Sequence, residues 1–240
     1  FELARGEYIW IAESDDVARS TFLEECMNAF SSYSDVSIVF SDCLFVDENT
    51  RDMHETKLQL TYRLSDKKQD TMYNGRFFID HRMFYQNYIM NASMVVFRKN
   101  SRHPDKAYMN YRYVGDWLFW VGILLNGNTV YIDKQLNLFR QHAGNTTATS
   151  FSSGNNYKEM GRLMTDICRI VQPPTGFKPY LYGYFFVHLR RHFKKMKYNP
   201  SIVKEIFDEW ARNENRTFSI IWYRIAKWLC LYKDKRPFRP

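Results

Sequence analysis

Ala4-Arg5-Gly6-Glu7-Tyr8-Ile9-Trp10-Ile11-Ala12-Glu13-Ser14-Asp15-Asp16 is a short apolar run that breaks off into three carboxylates. Tyr8 to Ala12 reads as a buried, central strand, because large apolar and aromatic residues stand together without a helical period and a glycine precedes them. The acids then fall at the strand's carboxyl end. In an open α/β sheet that edge is where ligands bind, and paired carboxylates there suit a hard divalent ion that takes oxygen ligands and bridges them to phosphates. The competing reading makes one acid a helix cap and the others solvated loop residues.

Downstream the pattern alternates between strand and helix. Thr21-Phe22-Leu23-Glu24 resembles a capping box, and Phe22, Cys26, Ala29 and Phe30 share one helical face. Val36 to Ser41 reads as a strand, and Asp47 to Gln69 as a polar excursion of the kind that often carries function. A helix over Arg76 to Tyr85 and a β-rich run over Ala92 to Phe97 continue the alternation. Gly115-Asp116 opens an apolar helix, Trp117 to Leu125, that stops at Asn126-Gly127. Two strands follow, Thr129 to Ile132 and Leu136 to Phe139, then the polar segment Arg140 to Thr147. Ser150 to Asn156 reads as a linker. Beyond it the spacing predicts helices over Tyr157–Val171, Tyr180–Met196, Ile202–Trp210 and Ile220–Tyr232.

Composition narrows the partners. With 45% hydrophobic residues the 240-residue chain can build a core, which excludes a disordered protein. Its net charge of +8 favours anionic partners, and the excess lies mainly in the C-terminal part, in Arg190, Arg191, Lys194, Lys195 and Lys197 and later Arg224, Lys227, Lys233, Lys235, Arg236 and Arg239. Cys26, Cys43, Cys168 and Cys230 form no CxxC pair, so neither a zinc site nor a disulfide framework is indicated, and a reducing cytosol fits. No run approaches the ~18–20 apolar residues of a membrane span. Asn91-Ala92-Ser93, Asn145-Thr146-Thr147 and Asn215-Arg216-Thr217 match the glycosylation pattern, which arises often by chance.

Three further positions are candidates for chemistry. Asp116, where a helix begins, is either a helix N-cap or a carboxylate able to deprotonate a hydroxyl. Arg140 and His142 share a face if their strand extends to them, bringing a guanidinium and an imidazole to one side. A lone loop histidine is otherwise an ordinary surface residue. On Tyr180–Met196 the cations oppose Tyr184, Phe185, Val187 and Leu189. That is either a solvated face over a packed one or an interfacial helix on anionic lipid, with Trp222, Tyr223, Trp228, Leu229 and Leu231 as a second apolar patch.

As a set these motifs resemble family 2 nucleotide-sugar glycosyltransferases, which have the GT-A fold. Residues 4–16 resemble the family's acidic-motif strand and Asn91 to Lys99 its middle strand. Val114-Gly115-Asp116-Trp117 resembles its catalytic-acid segment, and Leu138-Phe139-Arg140-Gln141-His142 its closing Tyr-Arg-x-His element. The matches keep the family's order and cover about residues 1–148. Glu13 stands where many relatives carry Asp. The family's opening strand and its nucleotide-recognising Asp-Asp-Gly-Ser segment have no counterpart, so the resemblance implies a chain that lacks that portion.

The resemblance implies an incomplete GT-A (Rossmann-like) mixed α/β sheet flanked by helices and followed by a helical C-terminal appendage. Residues 1–149 would form the C-terminal part of the catalytic domain and 150–240 the helical region. It implies inverting transfer of a sugar from a nucleotide-diphospho-sugar to a saccharide or lipid-linked acceptor hydroxyl. Asp116 would be the base, Asp15 and Arg140 would contact the donor, and Asp16, Asp15 and His142 would hold Mg²⁺ or Mn²⁺. The expected setting is the cytoplasm, with peripheral contact to the inner face of a membrane through the basic C-terminal helices, in surface polysaccharide or glycolipid assembly. No nucleic-acid partner is expected. The alternatives are a catalytically silent carbohydrate- or nucleotide-binding relative and a basic membrane-associated module.

Overall fold

The computed structural model describes residues 3–53, 64, 70–100, 106–141, 150, 153–195 and 197–232. They fall in two compact units: Phe1–Pro104 with Phe119–Ala143, and Asp105–Leu118 with Gly144–Pro237.

The first unit is a mixed sheet between helices. Its strands are β1 (Tyr8–Trp10), β2 (Val17–Ala18), β3 (Val36–Val46), β4 (Thr71–Tyr73), β5 (Val95–Arg98) and β6 (Asn128–Arg140). The order is β1-β5-β3-β6-β2, with β4 also on β6; the β3–β6 pair is parallel and the others antiparallel. Helix α1 (Phe22–Ser32) covers one face. Its Phe22, Cys26, Ala29 and Phe30 pack on Val36, Val39, Val96, Val130, Ile132 and Leu136, the face that the helical spacing predicts. On the other face Phe40 meets Phe78 of α2 (Gly75–Phe78), and Phe97 meets Phe119 and Trp120 of α3 (Gly115–Leu124).

Several local expectations change. Tyr8–Trp10 is shorter than expected and stands at the end of the strand order, paired with β5 alone among the described strands. Its apolar character comes from helix contact: Tyr8 lies 4.5 Å from Phe30 and Trp10 5.5 Å from Phe22, ring to ring. Thr21 precedes α1 but its side chain makes no capping bond, because its backbone is already helical (φ −89°, ψ −3°). The helix expected over Arg76 to Tyr85 is one α-turn capped by Asn74, running into a π-helical turn over Ile79–Met83.

The two strands expected after residue 128 are one. Ser41 pairs with Ile132, Asp42 with Gln135 and Cys43 with Asn137, so Asp133, Lys134 and Leu136 bulge out of the pairing inside β6, which then runs regularly to Val46↔Arg140. A polar Asp-Lys-Gln triplet imitates a turn in sequence. In the fold the bulge bends the strand and lets it run on to Arg140, while Lys134 pairs with Glu25 of α1 at 2.7 Å.

The second unit is helical: α4 (Asn155–Val171), α5 (Phe177–Lys195), α6 (Pro200–Asn213) and α7 (Arg216–Trp228). Trp210 of α6 is fully buried, its indole N–H donating to Tyr157 O at 2.6 Å. Gly183 lets α5 approach α7 closely, since a Cβ there would stand 2.1 Å from Ser219 O. Tyr223 of the expected apolar patch is buried, and Trp222 donates to Gly176 O at 2.8 Å, so neither is free for an outside partner. Leu189 and Phe193 of α5 are buried beneath the exposed Arg190, Arg191, Lys194 and Lys195: α5 presents a solvated cationic face over a packed one. None of the described helices is long and apolar enough to cross a membrane.

Candidate functional site

The acids follow β1 in a turn closed by Asp16 N–H to Glu13 O at 3.3 Å. Three strands position that turn. Asp16 immediately precedes β2, whose Val17 pairs with Leu138, so its carboxylate lies beside the end of β6 and Oδ1 accepts the backbone N–H of Arg140 at 3.1 Å. Its Oδ2 accepts the side-chain amide of Asn91. Both oxygens are thus held by N–H donors.

Asn91 belongs to a 3₁₀ turn, Ala92–Met94, that feeds β5. Its Oδ1 accepts Ser93 N–H at 2.5 Å, which fixes the amide so that its N–H₂ is the end offered to Asp16. Ser93 ties the same turn to the acid loop: its Oγ accepts Glu13 N–H and its carbonyl accepts the Trp10 indole N–H, each at 2.9 Å. Asn91 and Ser93 are buried, so the glycosylation pattern here is a structural latch. Sequence reading did not assign them a role in the site. The available signal was an Asn-x-Ser element placed directly before a buried apolar strand.

The Arg140 guanidinium fastens two loops together. Nε donates to Asp15 O at 2.8 Å, while one terminal nitrogen donates to Glu48 O at 2.9 Å, Thr50 Oγ1 at 3.1 Å and Asp47 O at 3.2 Å. The receiving loop is itself wound on Asp47, whose Oδ1 accepts Asn49 N–H at 2.9 Å and Arg51 N–H at 2.8 Å. Arg140 therefore sets the position of the acid loop.

Three carboxylates in one turn repel one another. The Glu13 carboxyl is pushed above the ordinary carboxylate value by partial burial, then by the charges of Asp16 and Asp15, with a bond from the Ala92 backbone opposing. Glu13 retains solvent contact, which screens the effect. The sequence-predicted residues thus divide three ways. Asp15, Asp16 and Arg140 come together in the first unit, Asp116 stands in the second, and His142 lies outside the described residues.

Asp116 occupies the first turn of α3 and is exposed, while Val114, Gly115, Trp117 and Leu118 around it are buried. The segment before it is braced on α4. Glu159 accepts the backbone N–H of Arg112 at 3.0 Å and of Tyr113 at 2.8 Å. The Tyr111 hydroxyl donates to Asp166 at 2.6 Å, and Arg162 donates to Asn110 O at 2.9 Å. Burial, then Asp166, pushes the Tyr111 pKa well up, so it remains a neutral donor. Gly115 is required here, because a Cβ would stand 2.4 Å from Tyr108 O.

Among the described residues no group of three or more His, Cys, Asp or Glu side chains is arranged to hold a metal by itself. The donor set fits a more open ion. Mg²⁺ is commonly held by one or two carboxylates plus substrate phosphates, and a divalent charge would offset the effect of Asp16 and Asp15 on Glu13.

No protein-family model matches the chain. An uncharacterized glycosyltransferase of Methanocaldococcus jannaschii is 25% identical over 124 residues, a match that spans 52% of this chain and 38% of that relative's length. Among solved structures, S. aureus TarS 1-349 in complex with UDP-GlcNAc is similar with a TM-score of 0.56, covering 99% of this chain and 71% of that one at 15% identity. At that identity the likeness is one of fold. The chain has the fold of a glycosyltransferase and a distant sequence similarity to a second one.

Proposed function

We propose that the chain carries catalytic machinery of a GT-A, family 2 type glycosyltransferase, which moves a sugar from a nucleotide-diphospho-sugar to an acceptor hydroxyl with inversion. The observation that carries this reading is the Asp15–Asp16 turn. The Asp16 carboxylate is set by the Asn91 amide and the Arg140 backbone N–H, and the Asp15 backbone by the Arg140 guanidinium, at the end of a strand, the kind of place where hard cations and diphosphates bind. The similarity to glycosyltransferases supports the reading, and TarS itself is seen with UDP-GlcNAc.

In this assignment Asp16 and Asp15 hold Mg²⁺ or Mn²⁺ and the donor, with His142 as a further contact. The ion, when bound, neutralises charge growing on the departing diphosphate. Arg140 orients the acid loop through its bond to Asp15 O. Asp116 accepts the acceptor's hydroxyl proton; its exposure amid buried neighbours supports a role toward a ligand over one in packing. The acceptor class is a saccharide or lipid-linked hydroxyl, in surface polysaccharide or glycolipid assembly.

The test is turnover of a nucleotide-sugar panel with Mn²⁺. Asp116→Asn is expected to lower the rate by about 10²–10⁴-fold without loss of fold, as removal of a general base does. Asp16→Asn should weaken donor binding. Unchanged turnover in Asp116→Asn would sink the base assignment, and a chain that binds nucleotide sugar without any transfer would favour the silent, binding-only relative.

A further inference from the structure

Helix α7 has two apolar faces, and the other described residues cover one. Ser219, Tyr223 and Ala226 are buried toward α5. On the opposite side Phe218 (53% exposed), Ile221 (51%), Ile225 (42%) and Trp228 (79%) recur at spacings of three, four and three residues, a continuous stripe in solvent. Leu229 and Leu231 prolong it past the helix end. A solvent-facing surface helix ordinarily carries charged residues there, so a four-residue apolar stripe ending in tryptophan needs a partner.

The charges beside the stripe identify the partner's chemistry. From Asn215 to Tyr232 there is no Asp or Glu, while Arg216, Arg224 and Lys227 are cationic. Arg224 and Lys227 are exposed on the helix flank. Lys227 Nζ lies 5.8 Å from the Tyr223 ring, beside His188 of α5, whose ring centre is 6.5 Å from that of Tyr223. Arg191 of α5 acts on the same histidine, and both cations, after burial, depress its affinity for a proton. Arg224 thus lies next to the apolar stripe, while Lys227 and Arg191 gather at the Tyr223–His188 side of the helix. Apolar and aromatic residues flanked by cations, with no acid between Asn215 and Tyr232, suit a phospholipid interface, with acyl boundary for the stripe and phosphate for the cations. A protein partner for a basic rim would instead have to supply both an apolar groove and acids in register.

We propose that the Phe218–Ile221–Ile225–Trp228 face of α7 seats on an anionic lipid surface, with Arg224, Lys227 and Arg191 at the headgroups. The helix lies in the interface plane and does not cross the bilayer. This inference is independent of the sugar-transfer chemistry and would hold for a silent relative.

The experiment is co-sedimentation of the full chain with vesicles of phosphatidylcholine alone and of phosphatidylcholine containing phosphatidylglycerol. Binding is expected to the anionic vesicles and weakly or not at all to the neutral ones. Ile225→Glu and, separately, Arg224→Glu with Lys227→Glu should each reduce it about tenfold or more. These side chains are exposed, so an unchanged far-ultraviolet circular dichroism spectrum verifies that the loss is not unfolding. A Trp228 emission that shifts to the blue on lipid, judged against Trp228→Phe, reports burial of the stripe itself. Absence of binding to anionic vesicles, or equal binding by the Ile225→Glu variant, would overturn the proposal. So would concentration-dependent dimerisation abolished by Ile225→Glu, which would give the stripe to a second copy of the chain.

Discussion

The side-chain amide of Asn91 donates to the carboxylate of Asp16 across 75 residues of sequence, from a turn buried at the start of β5 to the acid loop after β1. Because Asn91 is buried, losing its amide leaves a carboxylate oxygen short of a donor. Asn91→Ala is expected to cost about 2 kcal/mol of stability, the scale of a hydrogen bond to a charged group, measured by urea unfolding. Asn91→Asp adds a fourth carboxylate to the loop and should be worse near neutral pH and partly recover on acidification. If Asn91→Asp were as stable as the parent at neutral pH, Asp16 would not be held in this way.

Arg140 makes its bonds to the acid loop and to the Asp47–Thr50 loop through different nitrogens of one rigid fork. A lysine ammonium cannot span both. Arg140→Lys should therefore lose about 1–3 kcal/mol. Amide exchange should accelerate selectively in residues 13–16 and 47–51. Uniform exchange across the sheet, with no selective change there, would remove the fastening role.

Gly183 admits the α7 backbone to α5: an added Cβ would lie 2.1 Å from Ser219 O and 2.5 Å from Tyr223 Cβ. The nearest obstacle is backbone, which cannot rotate away. Gly183→Ala should destabilise by about 1–3 kcal/mol through overpacking, read as a lower urea midpoint with the slope retained. A variant of undiminished stability would show that the two helices are not in this register.

His188 and His192 both hold protons less readily than the ordinary histidine, pKa 6.5: His188 through burial and then Arg191 and Lys227, His192 through burial and then Lys195. Their folded pKa values lie below the unfolded value, so between the two the unfolded chain binds more protons and is favoured. Stability should be flat above 6.5 as far as these groups matter, and fall as pH drops below it. Thermal unfolding of His188→Gln should show a shallower decline over that range. A steeper one would reverse the sign assigned here.

Much of the first unit is legible in sequence because its signals are local. Phe22, Cys26, Ala29 and Phe30 fall on one helical face whatever lies beneath, and the acids end an apolar run whatever surrounds them. The bulge in β6 is illegible for the opposite reason. Asp133-Lys134-Gln135 has turn-like polarity, and only the register against Ser41, Asp42 and Cys43 shows that the strand absorbs three residues and continues to Arg140. The latch from Asn91 to Asp16 is likewise absent from any local pattern, since its bonds join segments far apart in sequence.

The C-terminal helices make the same distinction. By itself the sequence determined that Tyr180–Met196 and Ile220–Tyr232 are basic and amphipathic, because side-chain order along a 3.6-residue period sets the faces of a helix. Only the tertiary structure decided which face each one spends on packing. It covers the apolar side of α5, buries Tyr223, and leaves Phe218, Ile221, Ile225 and Trp228 in water. So too with the acids: the sequence determined that Glu13, Asp15 and Asp16 lie together, and the fold decided that Ser93 holds Glu13, that Arg140 holds Asp15, and that Asn91 and Arg140 together hold Asp16. Proximity along the chain follows from covalent connection. The choice of partner depends on which distant segments the packed core brings within hydrogen-bond reach.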